Sequence, residues 1–326
     1  MSTIRDVAAL AGVSVTTVSI VLNGQARNRS IPQSTCDRVH EAVKALNYQP
    51  SRAARALRGK LRPTIALLWV LDGRSTFFMR VAQGVAEVAA NPDQPFDLIV
   101  LPYKNGHIKD VLPKLRDHEL TAILVGAPAE EDQRCLEESD LGKPVCFINR
   151  YSEKLMCCRT DIRQIGALAA DYALQHGCRT LAVVTMANAP APKSTRRDEI
   201  LSACAKKGVV CPPSYYIETE NSISGGMDAA MRLAALPDRP DMIFCDNELV
   251  ALGVSAGCRA VGITDIPLLA IGLSFPDLGR HLQPALDLID IPGETLGREA
   301  ASMLVREMAG KLQLWDRRFP CQLLRA

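Results

Sequence analysis

Residues 4–24 read IRDVAALAGVSVTTVSIVLNG. Ile4, Val7, Ala8 and Ala11 recur at helical spacing, and Gly12 stops that first helix. Ser14 can cap a second helix from Val15 to Leu22, which ends at Asn23-Gly24. Two helices joined by a short turn containing glycine form a helix-turn-helix arrangement. Its second helix can lie in the major groove of DNA with N-terminal side chains at base edges. In that helix Val18, Val21 and Leu22 are spaced to pack inward. Thr16, Thr17 and Ser19 offer short hydroxyls to phosphates or bases, and Ile20 places an apolar side chain outward. Any one of these hydroxyls, taken alone, also suits a helix face or a cap.

Outward from this stretch, a third helix is expected after Ile31-Pro32, from about Ser34 to Leu46, with Val39, Ala42, Val43 and Leu46 on its core face. Three helices over about 50 residues make a very small core. Charge supports a polyanion partner for this head. Residues 1–62 hold 10 Lys and Arg against 3 acids, a net +7, whereas the rest of the 326-residue chain is at −5. A solvated basic face would give the same count, so the motif must carry the argument.

After Tyr48-Gln49-Pro50 comes SRAARALRGKLR (51–62), basic and helix-prone, closed by Pro63. Leu57 is its prominent apolar side chain, near Arg55 and Arg58. An apolar wedge flanked by arginine suits a minor-groove kinking element. A plain linker helix with Leu57 buried against the body suits it equally.

Taken together, IRDVAALAGVSVTTVSIVLNG and NYQPSRAARALR resemble the N-terminus and hinge helix of the Lac repressor family of bacterial transcription regulators. The resemblance runs over residues 3–62 almost without a break. It implies homodimers on palindromic operators, with Thr17, Ser19 and Asn23 on phosphate, Val15, Thr16 and residue 20 on bases, and Leu57 in the minor groove. Thr3, Ser14, Tyr48 and Arg55 join that candidate contact set. Two departures stand out. Relatives often carry Arg or His where Ile20 stands, and Ile20 can touch only a thymine methyl. QARNRS (25–30) is longer than in the commonest members, and resembles an extension in the fructose and sucrose repressor branches. Arg27 and Arg29 there are expected to add salt-sensitive backbone contacts.

From Thr64 onward apolar runs alternate with helical patterns. TIALLWV (64–70), FDLIVLP (96–102), TAILVG (121–126), PVCFIN (144–149), LAVVT (181–185), YYIE (215–218), MIFCD (242–246), LLAIG (268–272) and LDLIDI (286–291) read as strands. Helices are expected near 77–90, 107–118, 131–139, 163–176, 195–207, 225–236, 248–260 and 294–309. Continuous apolar strands between helices mean buried parallel sheets covered on both faces. The fold class is therefore α/β: a three-helix head and hinge helix, then a two-lobed core of parallel sheets. The expected domains are a head at 1–49, a hinge helix at 50–62 and the effector-binding and dimerisation core at 63–326. Lobe 1 is expected at about 63–161 plus 292–312, and lobe 2 at about 162–291 plus 313–326.

Ligands of such folds bind beyond the carboxyl ends of strands, here in the cleft between lobes. The candidate positions are Asp72, Asn149, Arg150, Asn221, Asn247 and Ser274, with Phe77 and Phe78 as a flat wall and Arg197 as a planar fork. Each polar position also suits an ordinary surface loop, and the Phe pair also suits core packing. The body resembles the periplasmic-binding-protein-like core of the same family through STFF (75–78), CDNELVALG (245–253) and PLLAIGL (267–273). That likeness implies a pocket role for Arg197, Phe78 and Asn247. Ser274 stands where many relatives place an effector-binding Asp, a departure from the usual pyranose mode.

An enzyme or a DNA-free sugar sensor on a similar fold is the main alternative. No GxxxxGK[ST] loop and no Gly-x-Ser-x-Gly elbow occurs, and SISGGM (222–227) lacks a phosphate-binding context. The 5 His show no metal-ligand spacing, so no cofactor or metal is expected. The 11 Cys are irregular and odd in number, which suits a reducing cytoplasm rather than a disulfide framework. Adjacent Cys157-Cys158 can be a thiol sensor or simply buried thiols. No signal pattern opens the chain, no apolar run spans a bilayer, and no leucine heptads follow FPCQLLRA. The expectation is a cytoplasmic, homodimeric, effector-responsive repressor. Its partners would be double-stranded operator DNA and a small sugar, sugar acid, sugar phosphate or similar compound, with no membrane.

Overall fold

The computed structural model describes residues 4–22, 26, 29, 31–46, 62–70, 75–93, 95–117, 119–186, 191–272, 278–312 and 314–326. The chain divides after Arg62 into two units. The first holds α1 (Ile4–Ala11), α2 (Val15–Leu22) and α3 (Gln33–Ala45). Val7, Ala8, Ala11, Val18, Val21, Cys36, Val39 and Ala42 form its core, with Ile31 and Leu46 packed against them. Gly12 turns the chain between α1 and α2 at φ 64°, a left-handed conformation that glycine adopts without a Cβ penalty. There the Val13 N–H donates to the Ala8 carbonyl at 3.0 Å and closes the helix end.

The second unit is built on two six-stranded sheets. In the first, the order is β11-β5-β4-β3-β1-β2, formed by β1 (Thr64–Val70), β2 (Asp97–Tyr103), β3 (Ala122–Gly126), β4 (Val145–Ile148), β5 (Met156–Thr160) and β11 (Asp316–Phe319). Every pairing in it is parallel. The second has the order β12-β10-β9-β8-β6-β7, from β6 (Leu181–Met186), β7 (Tyr216–Thr219), β8 (Met242–Cys245), β9 (Leu268–Gly272), β10 (Leu286–Asp290) and β12 (Gln322–Leu324). There only β12 runs antiparallel, against β10. TIALLWV, AILVG and LLAIG are buried at every residue, as strands covered on both faces must be.

Helices α4 (Ser75–Ala89), α5 (Glu130–Glu138), α6 (Ile162–Gln175), α7 (Ala191–Lys206), α8 (Ile223–Ala234), α9 (Glu248–Ala260) and α10 (Gly293–Met308) cover the sheets. α4 and α10 touch backbone to backbone. A Cβ on Gly297 would lie 2.1 Å from the Val81 carbonyl oxygen, and one on Gly84 would lie 1.9 Å from that of Glu294. Only glycine permits this approach.

Three differences from the sequence reading concern weak local signals. The helix expected near 107–118 is a 3₁₀ turn (Ile108–Val111) followed by one helical turn (Leu112–Leu115). Buried Asp132 accepts the N–H groups of Gly106 (2.8 Å) and Ile108 (3.0 Å) and holds this loop. Strands β5, β11 and β12 were not expected. Because β11 pairs with β5, residues 316–319 belong to the first sheet, so 313–326 is shared between the lobes rather than lying wholly in the second. The chain therefore crosses between lobes after β5, after β10 and between β11 and β12. At the second crossing Arg80 of α4 bonds Asp290 (2.7 Å) at the end of β10 and Glu294 (2.8 Å) on α10.

Candidate DNA interface and effector cavity

In the head, the Ser14 hydroxyl accepts the Thr17 N–H at 3.0 Å and lies 2.9 Å from the Thr17 hydroxyl. This fixes where α2 begins and satisfies an orphan donor of its first turn. Val18 and Val21 then face the core, which turns Val15 and Thr16 outward, Val15 at 41% exposure. Ser19 and Ile20 follow one turn later on the same side, half-buried. Ser14 is exposed, Thr17 is half-buried, and Arg29 is exposed beyond α2. Of the expected DNA contacts, Thr3, Asn23, Arg27, Tyr48, Arg55 and Leu57 lie outside the described residues, as does the hinge helix.

In the core, a cavity of about 580 Å³ is bounded, among the described residues, by α5, the segment after β4, the end of β5, the start of α6 and Arg196 of α7. Its walls are Glu130, Gln133, Arg134, Glu137, Asn149, Arg150, Tyr151, Arg159, Thr160, Ile162 and Arg196. Arg196 comes from the second lobe and the rest from the first lobe or the crossing into α6, so the cavity opens between lobes.

Asn149 sits at φ 57°, a left-handed conformation that asparagine tolerates. Its Oδ1 accepts from the Thr160 hydroxyl (2.9 Å) and N–H (3.4 Å). A backbone N–H can only donate, so this contact fixes the amide with Nδ2 as the remaining donor. Arg150 is half-buried, and its Nε donates to Gln133 Oε1. Gln133 is held in that orientation because its Nε2 donates to Glu137 (2.7 Å) and to the Tyr151 carbonyl (2.8 Å). Burial lowers the Arg150 pKa, against the pull of Glu130 and Glu137. Arg159 is bound through two N–H groups to Asp316 (2.8 Å each), and its guanidinium lies 4.6 Å above the Tyr151 ring.

Asn149 and Arg150 are thus the expected residues that this cavity gathers. Arg197 is not: it pairs with Asp198 at 3.1 Å and lies 5.7 Å over the Tyr216 ring. Neighbouring residues on a helix point about 100° apart, and here Arg196, 8% exposed, is the one that reaches the cavity. Phe77 is no open wall either. It is buried, with its ring 5.8 Å from Trp69, and belongs to the core. Phe78, partly buried, packs edge-on to Trp69 at 5.3 Å and does not line the cavity. Asn247 is buried as the N-cap of α9. Its Oδ1 accepts the Val250 N–H (3.0 Å), and its Nδ2 donates to Asp246 (3.0 Å). Asn221, half-buried beyond β7, also lies off the cavity lining. Asp72 and Ser274 lie outside the described residues.

Thiol sensing finds no support. Burial raises the Cys157 pKa to about 11 and pushes Cys158 higher still. Among the described residues no group of three or more His, Cys, Asp or Glu could hold a metal, and no helix is long and apolar enough to cross a membrane.

A helix-turn-helix head on a two-lobed α/β core with a polar interlobe cavity defines a ligand-responsive DNA-binding class. Comparison with known proteins agrees. The family model for bacterial regulatory proteins of the lacI family matches residues 3–51, and that for the periplasmic binding protein-like domain matches residues 170–322. The HTH-type transcriptional repressor PurR of Photobacterium profundum is 29% identical over 322 residues, 95% of this chain and 93% of that protein. PurR of Vibrio cholerae is 29% identical over 323 residues, with the same coverage of 95% and 93%. Among solved structures, the Lac repressor dimer bound to operator and the anti-inducer ONPF shares the fold at TM-score 0.81 and 18% identity, covering 99% of this chain and 98% of that one. The regulator CelR in complex with cellobiose does so at TM-score 0.68 and 21% identity, with coverage of 99% and 98%. Residues 3–51 thus match the lacI family of bacterial regulatory proteins, and over 95% of its length the chain is similar to transcriptional repressors named PurR. Its relatives are transcriptional repressors, which sets the enzyme reading aside.

Proposed function

We propose that this chain is a cytoplasmic repressor that binds a palindromic operator as a homodimer and responds to a small polar effector in the interlobe cavity. The observation that carries the reading is the capped helix α2, with Val15 and Thr16 turned outward and Ser19 and Ile20 behind them. Val15, Thr16 and Ile20 read base edges, while Thr17, Ser19, Asn23, Arg27 and Arg29 hold the phosphate backbone. Leu57 of the hinge enters the minor groove and kinks it. Effector seated between the lobes shifts their relative populations, and so biases whether two heads engage one operator.

Selection from a random palindromic DNA library with the full-length protein tests this. A defined inverted repeat should emerge, and its affinity should fall steeply as salt rises, because phosphate contacts release counterions. If no sequence is enriched over random duplex, or if affinity is insensitive to salt, the reading fails.

A further inference from the structure

Where the chain passes from β10 to α10, one side chain spans the crossing between lobes. β10 ends at Asp290 in the second lobe, and α10 begins at Gly293 against α4 of the first. Ile291, Pro292 and Gly293 are all that separate Asp290 from Glu294. The guanidinium of Arg80, on α4, serves both carboxylates. Its Nη1 donates to Asp290 Oδ1 at 2.7 Å and its Nη2 to Oδ2 at 3.4 Å, while its Nε donates to Glu294 Oε1 at 2.8 Å. The Arg80 and Asp290 side chains are 15% and 19% exposed, so solvent screens this pair less than a surface one.

The local chain is built to bring these groups together. A Cβ on Gly293 would lie 2.8 Å from Arg80 Cβ and 3.2 Å from the Phe77 ring, so the glycine admits α4 to this end of α10. Pro292 holds its own φ at −74°, and the Gly293 N–H donates to the Ile291 carbonyl at 2.7 Å. With so short a connection, rotation of β10 against α10 changes the separation of the two carboxylates, and one guanidinium can no longer serve both at these distances. The other two crossings carry bonds of another kind. Asp161 accepts the N–H of Arg163, two residues on, at 3.0 Å, and the Cys321 N–H donates to Gln164 Oε1 at 2.8 Å.

We propose that Arg80 is a clamp across this pivot, which holds the lobes in the arrangement observed and must reset when they move. That lobe movement carries the effector response rests on the function proposed above; the clamp itself does not. Arg80 is not among the described walls of the interlobe cavity. It therefore acts on effector affinity through the balance of lobe arrangements, since a ligand that fits one arrangement binds with an apparent affinity scaled by its population.

Distance measurement by pulsed electron paramagnetic resonance on the full-length protein, without ligand or DNA, tests the clamp. Spin labels are placed at Glu138→Cys on α5 and Lys206→Cys on α7, exposed positions in opposite lobes. Half-buried Cys135 and Cys211 are replaced by serine, and labelled protein is diluted with unlabelled so that distances within one chain are read. Arg80→Met should broaden the distribution, raising the share of a second arrangement at least about five-fold, as expected when bonds to a charged group are removed. Arg80→Lys keeps the charge without the planar fork and should fall between the two. Arg298→Met removes the exposed pair with Glu87 (2.8 Å), which joins the same two helices within the first lobe, and should leave the distribution unchanged. Circular dichroism checks the fold of each variant, and Asp290→Asn carries the test if Arg80→Met does not fold. A wild-type distribution in folded Arg80→Met, or in Asp290→Asn where that variant carries the test, overturns the proposal. So does a broadening in Arg298→Met equal to that of the Arg80 variant. These measurements use neither operator nor effector, so failure of the repressor reading would show in operator selection and not here.

Discussion

Asn247→Ala separates a structural residue from a ligand contact. Asn247 is 4% exposed and performs two tasks within α9 and its N-terminus. Its Oδ1 caps the helix through the Val250 N–H at 3.0 Å. Losing such a cap costs about 1 kcal/mol. Its Nδ2 serves Asp246, which is 3% exposed and otherwise accepts from the Thr185 hydroxyl (2.6 Å) and the Met186 N–H (3.2 Å). Removing one of three donors from a buried carboxylate adds about 1–3 kcal/mol. The sum of about 2–4 kcal/mol corresponds to a melting temperature lower by roughly 5–15 °C for a unit of this size. Asn247→Ser, which keeps a capping oxygen as Ser222 does for α8, should recover about 1 kcal/mol of this. Differential scanning calorimetry of the three unliganded proteins measures both steps. If Asn247→Ala melts with wild type and loses only its response to effector, the side chain is a ligand contact and the structural assignment is wrong.

Further outcomes are expected. Ile20→Arg should change the operator selected from a palindromic library by about 1–3 kcal/mol of base discrimination, since arginine can grip guanine through two hydrogen bonds; an unchanged site would place residue 20 away from the bases. Arg197→Ala should leave effector affinity intact, because it removes a pair with exposed Asp198 worth at most about 1 kcal/mol; a ten-fold loss in titration would return Arg197 to the site. Glu294 is held below its ordinary 4.5 by Arg80, and Asp316 below 3.8 by Arg159. A folded-state pKa below the unfolded one means that this stability is complete above the unfolded value and is lost as pH falls through the folded one. The melting temperature should therefore hold down to about pH 5 and then fall, less steeply in Arg80→Met. Iodoacetamide on the native protein near neutral pH should label half-buried Cys135 and Cys211 first, leaving Cys157 (pKa about 11) and Cys158 until unfolding; rapid loss of Cys157 would reopen thiol sensing.

The two sheets were legible because their central strands are continuous apolar runs, and nothing but burial on both faces explains TIALLWV or LLAIG. The strands that escaped are of another kind. In β11 (DRRF), Arg317 reaches Glu299 and Arg318 reaches Asp316, so the strand is held by ion pairs and parallel pairing and shows no apolar period. In β5 (MCCRT) burial is imposed by its neighbours: Cys157 packs toward Ser152, and Cys158 points the other way, toward the Leu296 carbonyl. Neither pattern separates itself from loop by periodicity.

The same distinction governs the site. That ligands gather beyond strand ends points to Asn149 and Arg150, both of which line the cavity, since position along the chain decides which residues follow β4. It could not choose between Arg196 and Arg197, because both follow β6 and differ only in rotation about a helix. The phase of that helix was nonetheless written in its apolar residues. Ile200 and Cys204 are each 1% exposed and stand four and eight residues after Arg196, on one face. Arg196 continues that buried row to the end of α7 that borders the cavity, while Arg197 falls on the neighbouring face with Asp198 and Tyr216. Where two candidate ligands are adjacent on a helix, the one in register with the buried row is the one that can reach an interlobe site.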